Sequence, residues 1–147
     1  MKLNTASSAI SFGKKLEDDS AKVYEDLARK RPEIKDTFLY FVRENGQNKI
    51  LVDRTYYGAI TDALEGCFSF EGLDTNDYMI ETEPVEDVSY ADRLKAAIAM
   101  EETIMRFYSA AAETSRSLLQ DVARAFEKVA KKRGERIQKL KSLLCAD

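Results

Sequence analysis

Apolar residues recur at helical intervals in four stretches of this chain, separated by segments in which the period fails. The first runs from about Ser7 to Arg29, with Ile10, Leu16, Val23, Tyr24 and Leu27 on one face. The second starts near Pro32, a residue suited to a first helical turn, and passes through Phe38, Phe41, Val52 and Ile60 to about Leu64. A third begins after Ser89, carries Leu94, Ile98, Ile104, Met105 and Tyr108, and ends near Thr114. The last runs from about Ser117 through Val122, Phe126, Val129, Ile137 and Leu140 to Leu144. These intervals predict helices over about 7–29, 32–64, 90–114 and 117–144 in one all-α domain spanning 1–147.

Short links after the first and third helices imply antiparallel neighbours. The segment at about 65–89, GCFSFEGLDTNDYMIETEPVEDVS, is acidic, rich in turn residues and without a period. Its length suits a crossover along a bundle. The halves also match each other. LEDDSAKVYEDLA lies on MEETIMRFYSAAA, pairing Glu17 with Glu101 and Tyr24 with Tyr108; FLYFVRENGQNKILV lies on FEKVAKKRGERIQKL, pairing Gly46 with Gly134. Two helical hairpins joined by a crossover make an antiparallel four-helix bundle. Within that pattern the Asn-Gly pair at Asn45–Gly46, ordinarily a turn signal, reads as continuous helix.

Composition narrows the function classes. Hydrophobic residues make up 44% and charged residues 33% of the 147, which suits a folded chain rather than a disordered one. A formal net charge of −3 gives no general attraction to nucleic acid or to an anionic membrane. Cys67 and Cys145 make neither a disulfide framework nor a metal-ligand pair and read as free thiols. The first residues reach charge too soon for a signal peptide, and no apolar run spans a bilayer, so a cytoplasmic location is expected. No nucleophile–base pair, phosphate loop or zinc spacing is present. The run KVAKKRGERIQKLK surrounds an apolar stripe and reads as a solvated face, as do Asp18, Asp19 and Glu102.

The inward stripes carry the candidate chemistry. Helix two steps through Phe38, Phe41, Asn45, Asn48 and Val52, alternating three and four residues; helix four steps identically through Phe126, Val129, Arg133, Arg136 and Leu140. Glu17 and Glu101 occupy the equivalent faces of helices one and three. Glu17, Asn45, Asn48, Glu101, Arg133 and Arg136 are therefore expected in a shared interior, where two carboxylates and two guanidiniums would make a neutral network. Tyr24 and Tyr108 would pack beside it with their hydroxyls hydrogen-bonded. A register shifted by one residue would instead turn Glu44, Gln47, Lys132 and Glu135 inward, offering Glu17, Glu44, Gln47, Glu101 and Glu135 to a metal.

At these residues the chain resembles the rubrerythrin-like branch of the ferritin-like superfamily, over nearly its whole length apart from the crossover. LEDDSAKVY and MEETIMRFY resemble that family's first and third helices; FLYFVRENGQNKIL and FEKVAKKRGERIQKL resemble its second and fourth, where the pattern continues into Glu-x-x-His. The resemblance implies a ferritin-like fold, a homodimer and, with an intact site, two iron ions held by four carboxylates and two histidines for oxygen or peroxide reduction or iron handling. Glu17 and Glu101 match that pattern. Asn45 and Asn48, and Arg133 and Arg136, stand where the Glu-x-x-His pairs would be, and the chain has no histidine. Arginine keeps its proton and offers no lone pair to a metal.

Three functional classes follow. In the leading one the di-iron site is lost, no cofactor is held, and the domain is a non-catalytic structural, binding or regulatory module, its partner, a protein or a small anion, left open by the sequence. An iron-dependent oxidoreductase or iron-handling protein, using the shifted register, is the alternative. The third is a small-molecule binder that holds an anion between Arg133 and Arg136.

Overall fold

The computed structural model describes residues 1–59, 71–83, 87–117 and 119–146. Ile60 and Leu64 of the expected second helix, Cys67, and the first part of the expected crossover lie outside them. Within the described residues the chain is all-α: α1 is Ala6–Lys30, α2 Lys35–Ala59, α3 Tyr90–Ser115 and α4 Gln120–Ala146. No helix among them is long and apolar enough to cross a membrane.

Local chemistry sets the helix ends. Thr5 caps α1 by accepting from the Ser8 amide at 3.0 Å, while Ser8 Oγ accepts from the Thr5 amide, a reciprocal box. Ser89 caps α3 by accepting from Asp92 N at 3.1 Å. Pro32 does not open α2 itself. It heads a separate 3₁₀ turn, Pro32–Ile34, after which α2 starts at Lys35. The last helix also begins later than its pattern suggests, because Leu119 is buried and its amide still donates to Ser115 O at 2.7 Å. Asn45–Gly46 causes no break: α2 is continuous through both.

α1 packs against α2 and α3 against α4, and the pairs meet through α2–α4 and α1–α3 contacts. Tyr24, Phe38, Phe107, Tyr108 and Phe126 are fully buried between the helices. The segment after α2 has no helical period, yet two of its residues are plugs. Leu73 and Tyr78 are buried, Tyr78 stacking edge-on with Phe107 at 5.4 Å, and Leu73 O accepts from Leu3 N at 2.9 Å. A lone antiparallel bridge, Lys2 with Asp74, ties this segment to the residues ahead of α1.

At Gly13 the backbone of α1 lies against the aromatic side chains of α3. A Cβ there would lie 3.2 Å from Tyr108 Oη and 3.4 Å from the Phe107 ring, whereas one at Gly46 would meet open space. Opposite outcomes are expected in denaturant unfolding. Gly13→Val overpacks the α1–α3 contact and lowers stability by about 1–3 kcal/mol. Gly46→Ala removes backbone entropy from the unfolded chain at no steric cost and raises stability by up to about 1 kcal/mol.

Candidate functional site

The polar side chains of the inward stripes converge. Glu17, Ser20, Asn45, Asn48, Glu101, Arg133 and Arg136 are all buried, four of them from α1 and α2 and three from α3 and α4. Position follows from helical geometry: Glu17 and Ser20 are one turn apart on α1, as are Asn45 and Asn48 on α2 and Arg133 and Arg136 on α4.

Arg133 is the hub. Its Nη1 donates to Glu101 Oε1 at 2.7 Å, and its Nη2 donates to Glu17 Oε2 and, at 3.3 Å, to Ser20 Oγ. The guanidinium thus bridges α1 and α3 from α4. Arg136 donates through Nη1 to Asn45 Oδ1 at 2.7 Å and to Glu101 Oε1 at 3.2 Å, and through Nη2 to Glu44 Oε1 at 2.7 Å and Phe41 O at 3.3 Å. Its face also lies over the Phe41 ring at 4.8 Å and the Tyr24 ring at 5.3 Å. The asparagines complete the links to α1. Asn48 Nδ2 donates to Glu17 Oε1 at 2.7 Å, and Asn45 Nδ2 donates to Ser20 Oγ and Glu17 O, both at 3.2 Å.

Two buried tyrosines, Tyr24 and Tyr108, lie beside the carboxylates. Tyr24 donates to Glu101 Oε1 at 2.5 Å, and Tyr108 donates to Gly13 O at 3.3 Å. Burial pushes both phenols well above their ordinary pKa, and the nearby carboxylates add to it, Glu101 at Tyr24 and Glu17 at Tyr108. Burial alone would lower the pKa of Arg133; the Glu101 and Glu17 carboxylates outweigh that and hold its guanidinium above the usual range. Arg133 is therefore a permanent cation in the interior.

The residues inside differ from the expected six in two ways. Glu44, assigned to the interior only by the shifted register, is buried beside Asn45 and pairs with Arg136. Its companions in that register, Gln47 and Glu135, are exposed and Lys132 is half-buried, so the shifted set does not assemble. The reason is angular: adjacent helix positions diverge by about 100°, and a wide inward face admits Glu44 and Asn45 together but not the rest of a shifted stripe. With Glu44 present, three carboxylates face two guanidiniums, so the site is not the neutral pairing expected from Glu17 and Glu101 alone. Ser20, on the same face of α1 as Glu17 and Tyr24, also joins the network, accepting from Asn45 and Arg133.

The donor set does not fit a di-iron centre. Metal ligands are anions or neutral nitrogens, and here two guanidiniums lie among the carboxylates and occupy their oxygens. Among the described residues, no three His, Cys, Asp or Glu side chains are grouped to hold a metal ion. An anion between the arginines meets an obstacle of its own, since all four Nη atoms already donate to protein acceptors.

The raised tyrosine pKa values give a prediction with a definite sign. Unfolded tyrosines ionise near pH 10, while Tyr24 and Tyr108 stay protonated in the fold. The stability linked to them is complete below about pH 10 and falls as pH rises toward their folded values, because the unfolded chain then binds fewer protons. Absorbance titration at 295 nm is expected to show two of the seven tyrosines ionising only with alkaline unfolding. Tyr24→Phe removes one of the two.

With this geometry in hand, comparison with known proteins returned no matching family model, curated protein or solved structure.

Proposed function

We propose that this chain is a ferritin-like, rubrerythrin-like four-helix domain in which a carboxylate–guanidinium network replaces the di-iron centre, and that it acts as a non-catalytic structural, binding or regulatory module. One observation carries the reading: Arg133 and Arg136, both buried, donate to Glu17 and Glu101, and these four residues stand at four of the six positions where the resemblance calls for metal ligands.

The replacement makes electrostatic sense. In a di-iron bundle the metal ions neutralise inward carboxylates; here the guanidiniums supply that positive charge. Arginine's planar fork lets one side chain reach two carboxylates, as Arg133 does with Glu17 and Glu101. Asn45 and Asn48 take the places of a carboxylate and an imidazole without adding charge, and spend their amide donors on α1. Nothing in this arrangement offers a reacting group an open coordination position or a base beside a nucleophile. An oxidoreductase using Glu44, Gln47 and Glu135 would need side chains that face solvent, in the case of Gln47 and Glu135.

The test is metal content. Protein made in iron-supplemented medium and exchanged into metal-free buffer is expected to carry well under one iron per chain. About two tightly held equivalents, the stoichiometry of an intact di-iron site, would overturn the proposal.

A further inference from the structure

An opening of about 510 Å³ lies between α1, α3 and the segment after α2, all three of which line it. It is separate from the ion network, whose residues do not line it. Val23 and Leu27 of α1, Ile80 of the connecting segment, and Ala99 and Met100 of α3 give it an apolar surface. The space exists because α3 presents Ala96, Ala99 and Thr103 there, one turn apart, while the facing side chains are larger. Such a volume is within the range of small-ligand sites. Met79 and Met100 bring flexible thioethers that adapt to irregular shapes.

Charge decides the kind of occupant. Asp26 and Arg93 lie in the wall, 15% and 14% exposed, and pair at 3.1 Å. The other Asp26 oxygen accepts from Arg29 Nη2 at 3.2 Å, and Arg93 Nε donates to Val88 O at 3.4 Å. An anionic ligand would compete with Asp26 for its cations, and a cationic one would compete with Arg93. The rim is balanced, with Lys22 and Arg29 on α1 facing Glu81 and Glu83 on the connecting segment. We propose that this opening is a binding site for an uncharged, largely apolar small molecule, seated between α1 and α3 against Val23, Leu27, Ala99 and Met100.

The full-length protein can be titrated with N-phenyl-1-naphthylamine, an uncharged fluorescent probe, and with anilinonaphthalene sulfonate, which carries a similar ring system and a negative charge. The uncharged probe is expected to saturate at one per chain and the sulfonate to bind at least about tenfold more weakly, the cost of a charge that finds no partner. Ala99→Phe and Ala96→Phe change side chains exposed in the opening and should each weaken the uncharged probe at least about tenfold while circular dichroism stays unchanged. Tyr57→Ser removes a 76% exposed side chain from α2, a competing surface for such a dye, and should leave binding as it was. Absence of saturable binding overturns the proposal, as does equal affinity for the sulfonate. Binding that survives both phenylalanine variants, or that is lost in Tyr57→Ser, overturns it as well. None of these outcomes depends on the metal content of the protein.

Discussion

Two buried guanidiniums lie among the helices, and the polar side chains at the bundle centre answer to them. A buried charge costs several kcal/mol unless it is paired and hydrogen-bonded. Arg133 and Arg136 therefore require Glu17 from α1, Glu44 from α2 and Glu101 from α3. Sliding or rotating any helix by one residue would leave a carboxylate or a guanidinium alone in the core. The network thus acts on register more than on net stability, since a well-packed apolar core often does as well or better energetically. Its satisfaction is incomplete: Asn48 Oδ1, Glu101 Oε2 and the Nε atoms of both arginines meet no hydrogen-bond partner among the described residues. Such a centre specifies one arrangement at some cost in stability.

The same interactions join the two halves. Tyr24, from α1, donates to Glu101 on α3, while the Glu17 carboxylate on α1 raises the pKa of Tyr108 on α3. The repeat seen in the sequence as Glu17–Tyr24 and Glu101–Tyr108 is thus expressed as reciprocal contacts between halves. Aromatic packing continues outward from it: Tyr24 meets Phe41 edge-on at 5.1 Å, and Tyr108 lies 6.0 Å from Phe126. Where α1 and α3 must come together for this exchange, at Gly13, the chain has no side chain to keep them apart. Toward the C-terminal end of α1, Val23 and Leu27 line the opening against α3.

Periodicity made much of this legible. The alternating steps of three and four through Asn45, Asn48, Arg133 and Arg136 run beside Phe38, Phe41, Phe126 and Val129, and all eight are buried. Continuous helix at Asn45–Gly46 could be read because the stripe crosses it without losing phase and Gly134 sits at the matching place. Glu44 was harder, because a one-residue-wide stripe is narrower than the face a helix turns inward. The burial of Leu73 and Tyr78 had no periodic signal, since isolated plugs in an irregular segment follow from tertiary contact alone. Helix starts at Lys35 and Gln120 depend on a 3₁₀ turn and on a buried Leu119, which propensity does not encode.

If Arg133 holds the inward carboxylates as a metal would, Glu17 and Arg133 are energetically coupled, and a double-mutant cycle between them measures that coupling. Stability would be measured by urea unfolding for the parent, Glu17→Gln, Arg133→Met and the double variant. Removing either partner alone strands a buried charge, so each single change should cost about 3–5 kcal/mol. The double variant should recover a coupling energy of about 2 kcal/mol or more. A coupling below about 0.5 kcal/mol, with additive losses, would show that the two groups do not depend on each other and would contradict the account.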